Sequence, residues 1–137
     1  MAAVVIDASI ASAWCFPDEQ TDYTRAVFQA VSSSAVDSVA PQLWAYEIRN
    51  SVLMGNRRGR IGKPDGEQFL LSPNELNVRL SEPESYDDVF SLAQEHGLTV
   101  YDAAYLNLAV QERLPLASLD GQLVRAAQKV GIQIYQP

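Results

Sequence analysis

Short apolar runs alternate with amphipathic stretches along the chain. Val4 to Ile6, Ser38 to Ala40, Leu116 to Ser118 and Ile132 to Tyr135 read as short buried strands. Between them, apolar positions recur at helical spacing. Asp18 to Ser32 places Tyr23, Ala26, Val27 and Ala30 on one face, and Gln42 to Arg58 follows Pro41, a residue suited to opening a helix. Tyr86 to His96 groups Val89, Phe90 and Ala93 and stops at Gly97. Tyr101 to Arg113 is apolar on most sides, which predicts a largely buried helix. Asp120-Gly121 has the composition of a hairpin turn, but Leu123, Val124, Ala127 and Val130 follow at helical spacing and predict a last helix. Gly66 to Glu82 is the least regular segment, and Ser72-Pro73 should break any long helix there.

Strands alternating with helices are the pattern of βα units on a parallel sheet. The expected fold class is therefore α/β, with a central, mainly parallel sheet. At 137 residues, without an internal linker or repeat, the chain is expected to form one domain over residues 1–137.

Composition narrows the function classes. With 47% hydrophobic and 20% charged residues, the chain matches a globular protein able to bury a core. The opening MAAVVIDAS has no basic segment, and Asp7 cuts its apolar run short, so neither a secretory leader nor a membrane span is expected and a cytoplasmic location is. Cys15, the single cysteine, excludes an internal disulfide and a multi-thiolate zinc site and reads as a small buried apolar residue. A net charge of −7 argues against a protein that grips nucleic acid over its whole surface. A local basic patch remains open, because Arg57, Arg58, Arg60 and Lys63 in RRGRIGK hold four of the ten basic side chains. They suit either a solvated helix end or a phosphate contact.

Four carboxylates stand at unusual positions. Asp7 follows the first strand and Asp120 the Leu116 strand, and a helix cap would account for either alone. Asp102 lies three residues after Thr99, a capping-box spacing, yet it heads the apolar stripe Tyr105, Leu106 and Ala109 and so points inward. Glu47 sits in the second turn after Pro41 beside Leu43, Trp44, Ser51 and Met54, where no cap explains it. A side-chain hydrogen bond to Asn50 is its structural alternative. Taken together the four are harder to dismiss. In a parallel sheet every C-terminal strand end lies on one edge, where such folds bind ligands, and all four acids fall at or near that edge. Crowded carboxylates repel one another, and a hard cation relieves the repulsion. Oxygen donors without His or Cys favour Mg²⁺ or Mn²⁺, and the chemistry such a site suits is metal-assisted phosphodiester hydrolysis.

VVIDAS, the ExxN of Glu47 to Asn50, YDAAYLNLA and LASLD, in this order and with NRRGRIG between, resemble the successive motifs of the PIN-domain family, and most of all its VapC-like toxin ribonucleases of toxin-antitoxin pairs. The resemblance covers nearly the whole chain. It implies a three-layer α/β/α sandwich and a Mg²⁺- or Mn²⁺-dependent endoribonuclease whose catalytic, metal-holding acids are Asp7, Glu47, Asp102 and Asp120. Asn50 matches the Asn of ExxN, and Ser9 and Ser118 match polar residues that support the acids, although backbone hydrogen bonding explains the two serines equally well. It further implies an RNA substrate, a small antitoxin covering the acidic crevice, and a homodimer; a chain of charge −7 suits a basic antitoxin segment. RRGRIGK resembles a basic stretch common in such toxins, with RNA, antitoxin or solvent as its neighbour. Pro73 in SPNEL departs from the pattern and bears on the substrate-side wall.

Other classes fit less well. A Ser-His-Asp hydrolase needs His96, which reads as a surface residue at a helix end. A phosphoaspartyl phosphatase wants a second Asp where Ser9 stands, and neither Lys63 nor Lys129 follows a late strand as a phospho-receiver requires. A metal-dependent adhesion loop Asp-x-Ser-x-Ser has Ala11 at its last position. A PIN-like RNA-processing nuclease that is not a toxin, and a PIN-like binding module, remain as alternatives.

Overall fold

Three of the four apolar runs become strands of one sheet. The structure, a computed structural model, describes residues 2–71 and 77–137. In chain order it comprises β1 (Ala3–Ile6), α1 (Ala8–Cys15), a 3-10 turn (Pro17–Glu19), α2 (Asp22–Ser32), β2 (Asp37–Pro41), α3 (Leu43–Arg57), α4 (Lys63–Leu71), β3 (Val78–Ser81), α5 (Tyr86–His96), α6 (Val100–Glu112), β4 (Leu116–Ala117) and α7 (Gly121–Lys129). The strand order is β3-β2-β1-β4, every neighbouring pair is parallel, and Val5 pairs with Val39 on one side and Leu116 on the other.

Side-chain alternation along β1 builds the layers. Val4 and Ile6 face Val27 and Val31 of α2, whereas Val5 faces the other way, into a larger cluster containing Trp44 and Ile48 of α3, Val89 of α5, Leu106 and Leu108 of α6 and Leu123 of α7. Helices thus cover both faces of a sheet whose central strands are apolar on both sides, giving the α/β/α sandwich. Helix α1 serves both sides, Ile10 joining the α2 cluster and Ala8 and Ala11 the other. A third cluster joins Cys15, Phe16 and Val52 beside α4. Close approach there requires glycine: a Cβ on Gly66 would lie 2.7 Å from Val52 and one on Gly55 2.6 Å from Phe16.

Several boundaries differ from the sequence reading. Ile132 to Tyr135 is not a strand but makes one isolated parallel bridge, Leu116 with Ile134, because β4 is only two residues long and offers no further ladder. Asp18 to Ser32 is not one helix: Pro17–Glu19 closes a 3-10 turn, and α2 begins afresh at Asp22 under a reciprocal capping box between Thr21 and Thr24. Pro41 ends β2, paired with Ser81, instead of opening α3. The irregular Gly66 to Glu82 stretch holds the end of α4 and the whole edge strand β3, while Ser72-Pro73 falls outside the described residues. The His96 side chain is only 8% exposed and packs inside, not at the surface, because Gly97 turns the chain back over the helix end through a left-handed cap. Cys15 is free and buried as expected. Among the described residues, no helix is long and apolar enough to cross a membrane.

Candidate active site

Because all strands run parallel, their C-terminal ends share one edge. The order β3-β2-β1-β4 also means that the chain leaves β1 toward one side for β2 and β3 and returns on the other for β4. The crevice beyond such a switch in strand order is the usual ligand site of open α/β sheets. Here it is a cavity of about 310 Å³ lined by Asp7, Ala8, Ser9, Ser12, Glu47, Asn50, Ser51, Asp102 and Asp120. Residues from four separate helix starts, 113 positions apart at the extremes, thus share one wall.

Asp7 follows β1 and is 5% exposed. It occupies the N-cap position of α1 but makes no capping hydrogen bond with its side chain. Instead Oδ2 accepts from two hydroxyls, Ser9 Oγ at 2.7 Å and Ser118 Oγ at 2.7 Å. Each serine oxygen accepts in turn a backbone N–H, from Leu119 at 3.0 Å and from Asp120 at 3.0 Å. Those amides fill the acceptor side of each hydroxyl, so each hydroxyl proton is directed at Asp7. One carboxylate oxygen is thereby fixed. Each serine thus both donates to Asp7 and accepts a backbone N–H.

Glu47 takes a partner other than Asn50. Its Oε1 accepts from Tyr105 Oη at 2.6 Å, across from α3 to the buried α6. Asn50 is exposed and shares the cavity wall one turn further on. Asp102 sits in the first turn of α6, where its N–H donates to the Thr99 cap at 3.1 Å, half of a capping box, while its side chain lines the cavity. Asp120 is a true cap of α7: Oδ1 accepts from Gln122 N at 2.9 Å and Leu123 N at 3.3 Å.

Electrostatics ties these groups together. Burial pushes the Asp7 carboxyl above its usual range, the Ser118 and Ser9 hydroxyls pull it back, and the charge of Asp120 adds to the rise. Burial also raises Glu47, opposed by the Tyr105 hydrogen bond and reinforced by Asp7 and Asp102. Asp102 is raised by burial, then by Asp120 and Asp7. The Tyr105 phenol is held far above its usual range by burial and the neighbouring carboxylates, so it remains a donor at physiological pH. Asp7, Glu47 and Asp102 are each harder to ionise first because they are buried and then because other acids are near.

Among the described residues, no three of His, Cys, Asp and Glu stand close enough to ligate a single ion directly. The oxygen-only donor set of the cavity nevertheless fits a hard cation such as Mg²⁺, which keeps much of its own water shell.

The PIN-domain profile matches residues 4–129. The chain belongs to the PIN-domain family. It is 37% identical over 124 residues to Ribonuclease VapC3 of Pyrobaculum aerophilum, an alignment spanning 88% of this chain and 91% of that one. This PIN domain also resembles two crystal structures in fold. PAE2754 from Pyrobaculum aerophilum superposes with a TM-score of 0.70 at 23% identity, over 91% of this chain and 84% of that one. FitAcB from Neisseria gonorrhoeae gives a TM-score of 0.64 at 16% identity, over 98% of this chain and 97% of that one.

Sequence reasoning passed over three residues of this PIN domain's crevice. Tyr105 reads as apolar core at helical spacing, and only the position of Glu47 on a different helix reveals its hydroxyl as a partner. Ser12 and Ser51 line the cavity and bond to each other at 3.0 Å across α1 and α3. The basic stretch does not reach the acids as a unit. Arg60 is engaged by Asp18 at 3.0 Å and Glu19 at 2.8 Å and lies over the Phe16 ring at 4.3 Å from its centroid. Arg57 and Lys63 line a separate cavity at the far end of α3, and Arg58 caps that helix. The rise per residue puts about 15 Å between Glu47 and Arg57 along α3.

Proposed function

We propose that this PIN domain, one unit over residues 1–137, is a divalent-metal-dependent endoribonuclease that hydrolyses RNA phosphodiester bonds and acts as the toxin of a toxin-antitoxin pair. The observation that carries the reading is the convergence of Asp7, Glu47, Asp102 and Asp120 on one cavity beyond β1 and β4. Its relation to a protein named Ribonuclease VapC3 supports the RNA substrate and the toxin role.

Asp7 and Glu47 each have one oxygen secured by protein hydroxyls, and both line the cavity. Asp102 and Asp120 complete the set that would hold Mg²⁺ or Mn²⁺, directly or through water. When bound, the ion supplies a water more readily deprotonated than bulk water and positive charge to offset that developing on the phosphate and leaving oxygen. Asn50, exposed on the cavity wall, would hydrogen-bond a phosphate oxygen of the RNA. Ser9 and Ser118 hold Asp7 in register throughout. Arg57, Arg58 and Lys63 would meet either an RNA strand running along α3 or an acidic segment of the partner. The acidic crevice itself suits a basic segment of a small antitoxin, and the chain would act in the cytoplasm as a homodimer.

Incubation of the protein with RNA and Mg²⁺ or Mn²⁺ tests the nuclease. Cleavage should require the metal, stop on chelation, and be lost in Asp102→Asn; cleavage that survives EDTA would refute it. The toxin role predicts growth arrest on induction, relieved by co-expression of a small neighbouring reading frame. Vigorous growth with abundant active protein would remove the toxin role while leaving the nuclease.

A further inference from the structure

The acidic cavity takes up only the β1 and β4 half of the sheet edge. Beyond the ends of β2 and β3, where Pro41 and Ser81 close the two strands, lies a second cavity of about 280 Å³ with mainly apolar walls. Two tyrosines stand open on it, Tyr86 of α5 at 71% exposure and Tyr101 of α6 at 66%, together with Leu43, Val100 and Ala104. Large aromatic side chains left this exposed in an apolar recess call for an occupant. The Tyr86 ring is not loose: its hydroxyl donates to Glu82 Oε2 at 2.6 Å, which sets its orientation before anything binds.

Two helices line both cavities. On α3, Leu43 lines the aromatic groove and Glu47, one turn later, lines the acidic crevice. On α6, Tyr101 lines the groove and the next residue, Asp102, lines the crevice. The same two helices thus run from the apolar groove to the carboxylates, with Leu43 and Glu47 about one helical turn apart along α3.

We propose that this groove is a subsite for one unpaired nucleobase of the RNA, adjacent to the bond that is cut, with Tyr101 and Tyr86 as its stacking surfaces. The inference rests on the ribonuclease reading above and deepens it. Aromatic side chains bind single-stranded RNA by stacking on its bases, and every base has a face to offer. The subsite makes single-stranded or looped RNA the preferred substrate class, because a paired base cannot enter. It also explains why the apolar surface lies on the same edge as the acids. Tyr101 and Tyr86 are positioning residues in this scheme and touch no reacting atom.

The test uses the full chain and a single-stranded RNA carrying 2-aminopurine at successive positions, with cleavage and fluorescence both read. Tyr101→Leu and Tyr86→Leu keep the apolar volume and remove the ring; each should raise KM about tenfold with kcat changed less than about twofold, while Tyr101→Phe restores the wild-type value. One labelled position should be quenched on binding, and the quench should vanish in the leucine variants. Unchanged KM and quench in both leucine variants, with the wild type cleaving normally, overturns the subsite and leaves the nuclease standing. A change in oligomeric mass or in binding of a protein partner, without a change in KM, also overturns it by assigning the groove to protein. If the wild type cleaves no RNA but the ring-dependent quench persists, the nuclease reading fails and the base subsite stands.

Discussion

Asp7 and Asp120 occupy the same place in two βα units, each following a strand and preceding a helix, yet the structure uses them differently. Asp120 caps α7 with two backbone N–H bonds, as local chemistry dictates. Asp7 makes no capping bond with its side chain and instead accepts two hydroxyls, one of them from Ser118, 111 residues away. A capping carboxylate at the protein surface is satisfied by its own helix. A carboxylate buried between two strand ends is available to the opposite loop, and there the hydroxyls outcompete the helix. Position in the sheet, not the motif, decides which role an Asp takes.

The largest effect that would sharpen this contrast is on turnover. Asp7→Asn keeps an acceptor for both serines, so the variant should fold, while RNA cleavage should fall on the order of 10²- to 10³-fold. Retained activity with a normal melting curve would remove Asp7 from the site. Next is the metal. Millimolar Mg²⁺ or Mn²⁺ should raise the melting temperature of the wild type, reaching about 2.7 kcal/mol of stabilisation at a hundred times Kd, and much less in Asp7→Asn. An equal shift in both proteins would place the ion elsewhere.

Ser118→Ala comes third. It removes one of the two hydroxyl donors to a buried carboxylate and strands the Asp120 N–H, which should cost about 1–3 kcal/mol in denaturant unfolding. It should also move the Asp7 carboxyl further up, so the acidic limb of the cleavage pH profile shifts to higher pH. No change in either would mean that Asp7 is held by something other than the hydroxyls. Fourth, Asp120→Ala should cost about 1 kcal/mol through loss of the cap, while Asp120→Asn should keep stability and still impair cleavage. Equal stability of the two variants would break the assignment of Asp120 as the true cap.

The smallest effect is a pH-dependent difference in the metal-free protein. The Asp7 carboxyl is raised in the folded state from an ordinary value of 3.8, so its contribution to stability is fully present below that value and is lost as pH rises through the folded value. Asp7→Asn lacks this loss. Its melting temperature should exceed that of wild type most near neutral pH, and the gap should close on acidification toward about pH 4. A gap independent of pH would show that Asp7 carries no such burden.

Much of the fold follows from short-range pattern. Runs such as Val4 to Ile6 are apolar on both faces, and that pattern alone marks a covered parallel strand. The acids at the ends of these runs are likewise legible, because a strict edge rule turns sequence position into location. Edge strand β3 escaped notice because Val78–Ser81 is half exposed and has no continuous apolar run to announce it. Ile132 to Tyr135 failed in the opposite sense, since its pattern is that of a strand but only two residues of β4 are there to pair with it.

The sequence alone therefore determined the α/β class, the family motifs and which four acids come to line one cavity, because these depend on residue type and local period. Tertiary structure decided which acid is a cap and which is held by hydroxyls, that Tyr105 serves Glu47, that Arg60 is tied to Asp18 and Glu19, and that an aromatic groove adjoins the crevice. Each of these is a contact between elements distant in the chain. Such contacts are set by packing and burial, which no local stretch of sequence contains.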